Sequence, residues 1–168
     1  TIYNNSEVNN FPLVLYLLKG FTLFFSVNTI DAFSINYLKC FVILFDFATL
    51  ATVVYLLKQK GKNLLLVLVL LLNPAFWYNT IIWGQVDTVY TFLVLISLLF
   101  AIREKPLPAL IFLLLAINTK LQAVIFLPII LLLVFKTEEQ RSKSFTEILS
   151  GLFILAGIQI VILLPFIL

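Results

Sequence analysis

The sequence predicts an all-α fold, a polytopic transmembrane helical bundle, and two observations carry that reading. Apolar residues make up 62% of the chain and charged ones 11%, with a mean hydropathy of +1.14, far outside the balance of soluble domains. Apolar stretches at residues 37–57, 64–82, 86–102 and 147–168 meet or approach the roughly 20 residues that carry a helix across the hydrocarbon. A soluble core helix would show polar residues every three or four positions, and these stretches do not. Polar residues break the runs between them, so short, broken helices are expected. The whole of residues 1–168 reads as part of a single multi-pass membrane domain.

Taken in order, residues 1–10 are polar and read as loop. Residues 11–27 are apolar but short for a span, start at Pro12 and carry Lys19, so an interface-bound N-terminal segment is expected. The stretch 37–57 holds Asp46 centrally, expected to be a structural polar residue that hydrogen-bonds between helices. Lys39, nearer its end, is expected to snorkel towards the headgroups. Cys40 reads as a small buried hydrophobe. Two runs, 107–117 and 121–135, are each too short to span comfortably and meet at Asn118-Thr119-Lys120-Leu121-Gln122. Pro128 and Pro165 are expected to kink their helices.

Charge fixes an expected orientation. Basic residues cluster in three short connectors: Lys58, Lys60 and Lys62, then Arg103 and Lys105, then Lys136, Arg141 and Lys143. Short Lys- and Arg-rich loops stay cytoplasmic. One topology places all three inside, and it puts residues 83–87 and 118–122 on the outer side.

Two polar clusters interrupt the apolar pattern. The first runs from Asn73-Pro74, a structural polar residue and a helix breaker, to Trp83-Gly84-Gln85-Val86-Asp87. An interfacial aromatic belt accounts for Trp77, Tyr78 and Trp83 but not for Gln85 and Asp87. Helical spacing places Trp83, Asp87 and Tyr90 on one face at i, i+4 and i+7, which points to a functional role for the cluster. Trp83, Gln85 and Asp87 are its candidate residues, and the family resemblance given below implies that they wall a substrate site. The second cluster holds Lys120 on the side where lysine is scarce, which calls for an anionic partner. Thr119-x-x-Gln122 fits a capping box, and a capped helix N-terminus beside Lys120 would suit a phosphate. Thr119, Lys120 and Gln122 are therefore the expected phosphate-binding residues.

Several chemistries are excluded. With no His and a single Cys, the chain cannot build an ordinary zinc or haem site or a disulfide framework. It has no Gly-rich phosphate loop, no Ser/His/Asp constellation and no nucleic-acid-binding motif. No cofactor is evident, and a divalent cation stays an open possibility.

The order of Asn73-Pro74, Trp83-Gly84-Gln85-Val86-Asp87, Asn118-Thr119-Lys120-Leu121-Gln122 and Pro128 resembles the GT-C superfamily of polytopic glycosyltransferases. Phe11-Pro12-Leu13 is similar to that family's tyrosine-diproline-leucine segment, with one Pro in place of two, and Lys39 and Asp46 fit its next helix. The likeness is greatest to mannosyltransferase-like members related to the second mannosyltransferase of GPI-anchor assembly. It implies transfer of a hexose, mannose foremost, from a polyprenyl- or dolichyl-phosphate donor to a glycan, lipid or protein acceptor outside the cytoplasm. The resemblance further implies a catalytic Asp in an external loop upstream of Thr1, so the chain reads as an internal fragment whose own catalytic residue is unknown. The membrane would be the cell membrane in a prokaryote and the endoplasmic reticulum in a eukaryote. Two alternatives use the same polar breaks: a transporter or lipid-linked-sugar flippase, and a non-catalytic membrane assembly subunit.

Overall fold

The computed structural model describes residues 12–24, 32–61, 65–82, 87–135 and 138–167. The described residues are helical throughout, apart from the turns that join them, and contain no strand. The order is α1 (Pro12–Phe24), α2 (Ala32–Gln59), α3 (Leu65–Leu71), α4 (Pro74–Trp77), a π-helical turn (Tyr78–Ile82), α5 (Asp87–Ile102), α6 (Pro106–Thr119), a 3₁₀ turn (Leu121–Phe126), α7 (Leu127–Val134) and α8 (Glu138–Ile167). Two segments are long and apolar enough to cross a membrane, Asn36–Gln59 in α2 and Phe145–Pro165 in α8. The others are shorter and apolar, as the interrupted runs predict.

The α5–α6 hairpin is the centre of the packing. Its turn is a Schellman motif: Glu104 takes a left-handed φ of 59°, its N–H bonds Ala101, and the Lys105 N–H bonds Phe100 at 3.0 Å. Pro106 then opens α6, where a missing N–H costs nothing. Small residues let the two helices close on each other: Ser97, Ala101, Ala109 and Ala116 are all buried. The Ser97 hydroxyl donates to the Ala109 carbonyl at 2.6 Å, and Phe100 stacks on Phe112 at 5.4 Å. Ile130 and Val134 of α7 complete this core with Leu113.

Other helices dock around the hairpin. Gly151 of α8 lies so close to Leu107 that an added Cβ would sit 2.3 Å from its Cδ1, which sets the α6–α8 distance. The chain between α2 and α5 is broken rather than one span. After α3 the helix stops at Leu72-Asn73 and restarts at Pro74, and Trp77 returns its indole N–H to the Leu71 carbonyl at 2.7 Å. Pro128 lies at the first turn of α7 and starts that helix instead of kinking it, since the preceding turn is already 3₁₀. Pro165 falls inside α8 near its end. Cys40 is exposed, not buried, because an apolar run in this chain faces outward as readily as inward.

The ends of the bundle sort by charge. The Arg103 guanidinium lies 5.0 Å from the Tyr55 ring centre, bringing the α5–α6 turn to the end of α2 that carries Lys58 and Lys60. Val134 packs near Ala101 and Ala109, so α7 finishes at that same end. The starts of α5 and the end of α6 are at the opposite end. There α1 packs against the bundle: the Tyr16 hydroxyl donates to the Ile162 carbonyl at 3.1 Å, and Phe21 meets Phe41 at 5.9 Å. At 13 residues α1 is about 20 Å long, too short to cross a core of about 30 Å.

Candidate functional site

Asp87 is the first residue of α5, and Lys120 is the extended residue at which α6 ends. Each position suits its charge, a carboxylate at a helix N-terminus and an ammonium beside the final carbonyls of α6. Because α5 and α6 form a tight antiparallel hairpin, these two positions return to the same level. Lys120 Nζ lies 2.5 Å from Asp87 Oδ2, an ion pair whose side chains are 33% and 26% exposed. The ammonium also sits over the Tyr90 ring, 5.5 Å from its centre, one helical turn beyond Asp87. Three of the sequence-derived positions thus converge at one end of the hairpin.

About two-thirds of the Lys120 side chain and three-quarters of the Asp87 side chain are covered, so the pair stays partly open to solvent. An ammonium has three donors. Among the described residues Asp87 accepts from it, and the Tyr90 ring lies against it. The local charge is neutral while the pair stands. The Lys120 ammonium is thus partly desolvated and held in place by Asp87 and Tyr90.

The phosphate seat expected from a capping box is not built that way. The Thr119 hydroxyl turns back and donates to the Ala116 carbonyl at 2.6 Å inside α6. The turn that follows is a six-residue 3₁₀ segment with no side-chain cap, too short for a helix-dipole site. Thr119 is buried and Gln122 is exposed, so of the expected trio only Lys120 takes part in the ion pair. Trp83 and Gln85 lie outside the described residues. Asn73 is exposed at the α3–α4 break, and its backbone N–H bonds Leu70 at 3.2 Å.

Asp46 behaves as the sequence suggested. It is 2% exposed, and Oδ1 accepts the Thr88 hydroxyl from α5. Lys39 does more than snorkel: its Nζ donates to the Ile82 carbonyl at 3.3 Å, at the end of the π-helical turn. A further pair escaped the sequence reading. Asn118 and Gln159 exchange amide hydrogen bonds of 2.8 and 3.3 Å, tying α8 to the residue two before Lys120. The available signal was Gln159 itself, a lone amide within the apolar run 152–164. Among the described residues no group of three His, Cys, Asp or Glu side chains gathers that could hold a metal.

Residues 20–168 match the family model of glycosyltransferase family 87 (GT87). Neither a curated protein sequence nor a solved structure matches the chain.

Proposed function

The chain belongs to glycosyltransferase family 87, and on that premise we propose that it moves a hexose from a polyprenyl-phosphate donor to an acceptor on the extracytoplasmic side. A glycosyltransferase needs a sugar donor and an acceptor; the identity of both is the proposal. The observation that carries it is the partly exposed ion pair of Lys120 with Asp87. Sixteen residues of α5 rise about 24 Å and fourteen of α6 about 21 Å, both short of a core about 30 Å thick. With the basic turn at Arg103 on the cytoplasmic surface, the pair lies several Å beneath the outer one. A water-soluble nucleotide sugar has little reason to reach that depth. The phosphate of a lipid-linked donor resides near it, its tail among the exposed apolar side chains of the helices.

The reaction breaks the bond between the anomeric carbon and the phosphate oxygen and forms one to the acceptor oxygen. The hydroxyl proton passes to a base that is neither member of the pair. Negative charge grows on the departing phosphate, and a fixed, partly desolvated ammonium stabilises that charge without reorganising. Lys120 supplies it, with Asp87 and Tyr90 holding the ammonium in place. Mannose is the hexose that the sequence resemblance favours. The family match favours transfer over the transporter and assembly-subunit alternatives.

Membranes containing the full-length protein, given labelled hexose either on polyprenyl phosphate or on a nucleotide, test the donor class. Transfer from the lipid donor, persisting when endogenous synthesis of that donor is blocked, is expected. Transfer from the nucleotide sugar alone, with the lipid donor inert, contradicts the proposal.

A further inference from the structure

Helix α2 touches the chain on both sides of residues 83–86, and both contacts are polar. On one side Lys39 Nζ donates to the Ile82 carbonyl at 3.3 Å. On the other, the Thr88 hydroxyl donates to Asp46 Oδ1, within the buried α2–α5 interface. Lys39 and Asp46 stand at i and i+7, two turns apart on one face of a single rigid helix. Asp46 Oδ2 has no hydrogen-bond partner among the described residues, so the Thr88 bond is the interaction that offsets the burial of this carboxylate. Thr88 adjoins Asp87 in sequence, and Asp87 holds Lys120.

We propose that α2 is a two-point clamp, in which Lys39 and Asp46 are positioning residues that set the start of α5 and through it the Asp87–Lys120 pair. A tie that merely held two helices together could sit anywhere along α2 and α5. These two flank the segment that delivers Asp87, and the Asp46–Thr88 bond lies one residue from the ion pair. The second turn of α5 adds rigidity in the same direction, since the Thr91 hydroxyl donates to the Asp87 carbonyl at 3.0 Å. The clamp fixes where the cation is aimed; it does not touch substrate. Its consequence for donor binding rests on the donor-site reading above, whereas its geometry does not.

The test reads geometry and activity separately. In a Cys40→Ala background, the Asp87→Cys/Lys120→Cys variant is cross-linked with a short bifunctional thiol reagent in membranes. Adding Thr88→Val, which keeps the shape and removes the hydroxyl, is expected to slow cross-linking at least fivefold, and Thr88→Ser to restore it. Lys39→Met is expected to slow it to a lesser degree, and Asp46→Asn, which retains an acceptor oxygen, to leave it within twofold of the parent. In the otherwise native enzyme Thr88→Val should raise the donor KM and lower kcat, about tenfold together in kcat/KM, with both rescued by Ser. Unchanged cross-linking in both Thr88→Val and Lys39→Met overturns the clamp. Slowed cross-linking combined with a donor KM that neither Thr88→Val nor Lys120→Ala moves leaves the clamp standing and removes the donor-site reading instead.

Discussion

Lys120→Ala is expected to lower transfer from polyprenyl-phosphate hexose about ten- to a hundredfold at subsaturating donor. The estimate follows from the loss of one charge-assisted contact, about 1.5–3 kcal/mol, to an anion whose charge increases as the bond breaks. Lys120→Arg keeps the charge but replaces a compact ammonium with a planar fork that must fit between Asp87 and the Tyr90 ring, so it retains part of the activity. The measurement is initial-rate transfer of labelled hexose in membranes with matched protein levels. Unchanged transfer by Lys120→Ala would mean that the ammonium only satisfies Asp87.

Asp87→Ala is expected to produce a comparable loss, about tenfold or more, and the double variant with Lys120→Ala to be no worse than the poorer single one. Breaking a fully buried ion pair costs about 3–5 kcal/mol, and exposed pairs are worth about 0–1 kcal/mol. This pair, a third and a quarter exposed, belongs between those limits. Without the carboxylate the ammonium stem is free to swing toward water or headgroups, and its aim is lost. Residues that act as one unit give non-additive losses. A double-mutant cycle on kcat/KM for the donor checks this, and losses that multiply would show that the two side chains act independently.

The two charged positions of the site were legible because a Lys and an Asp stand out in apolar runs, where a membrane makes each such residue costly. That they would touch was only half legible. It depends on the similar lengths of α5 and α6, 16 and 14 residues, and on the tight turn at Glu104, whose left-handed backbone at a non-glycine residue leaves no clear sequence signal. The cap expected of Thr119 is absent for a local reason: a hydroxyl at a helix end has a carbonyl three residues back within reach, and here Ala116 takes it. The broken helix at Asn73-Pro74 was foreshadowed by those residues, but the Leu-rich sequence around them gave no hint of a seven-residue α3 or a π-helical turn. Asp46 was expected to hydrogen-bond between helices and Lys39 to snorkel, while their partners Thr88 and the Ile82 carbonyl could be found only in three dimensions. The exposure of Cys40 carries the same lesson, since in such a composition apolar context marks the membrane and not the interior.

Direct binding of the leaving group tests the central claim, that Lys120 seats a lipid-linked phosphate, without needing turnover. Purified protein in lipid nanodiscs is titrated with polyprenyl phosphate and, separately, with the uncharged polyprenol of the same length. Wild-type protein is expected to bind the phosphate at least tenfold more tightly than the alcohol, and Lys120→Ala to abolish that preference while leaving polyprenol binding unchanged. Equal preference for the phosphate in wild-type and Lys120→Ala protein would contradict the assignment.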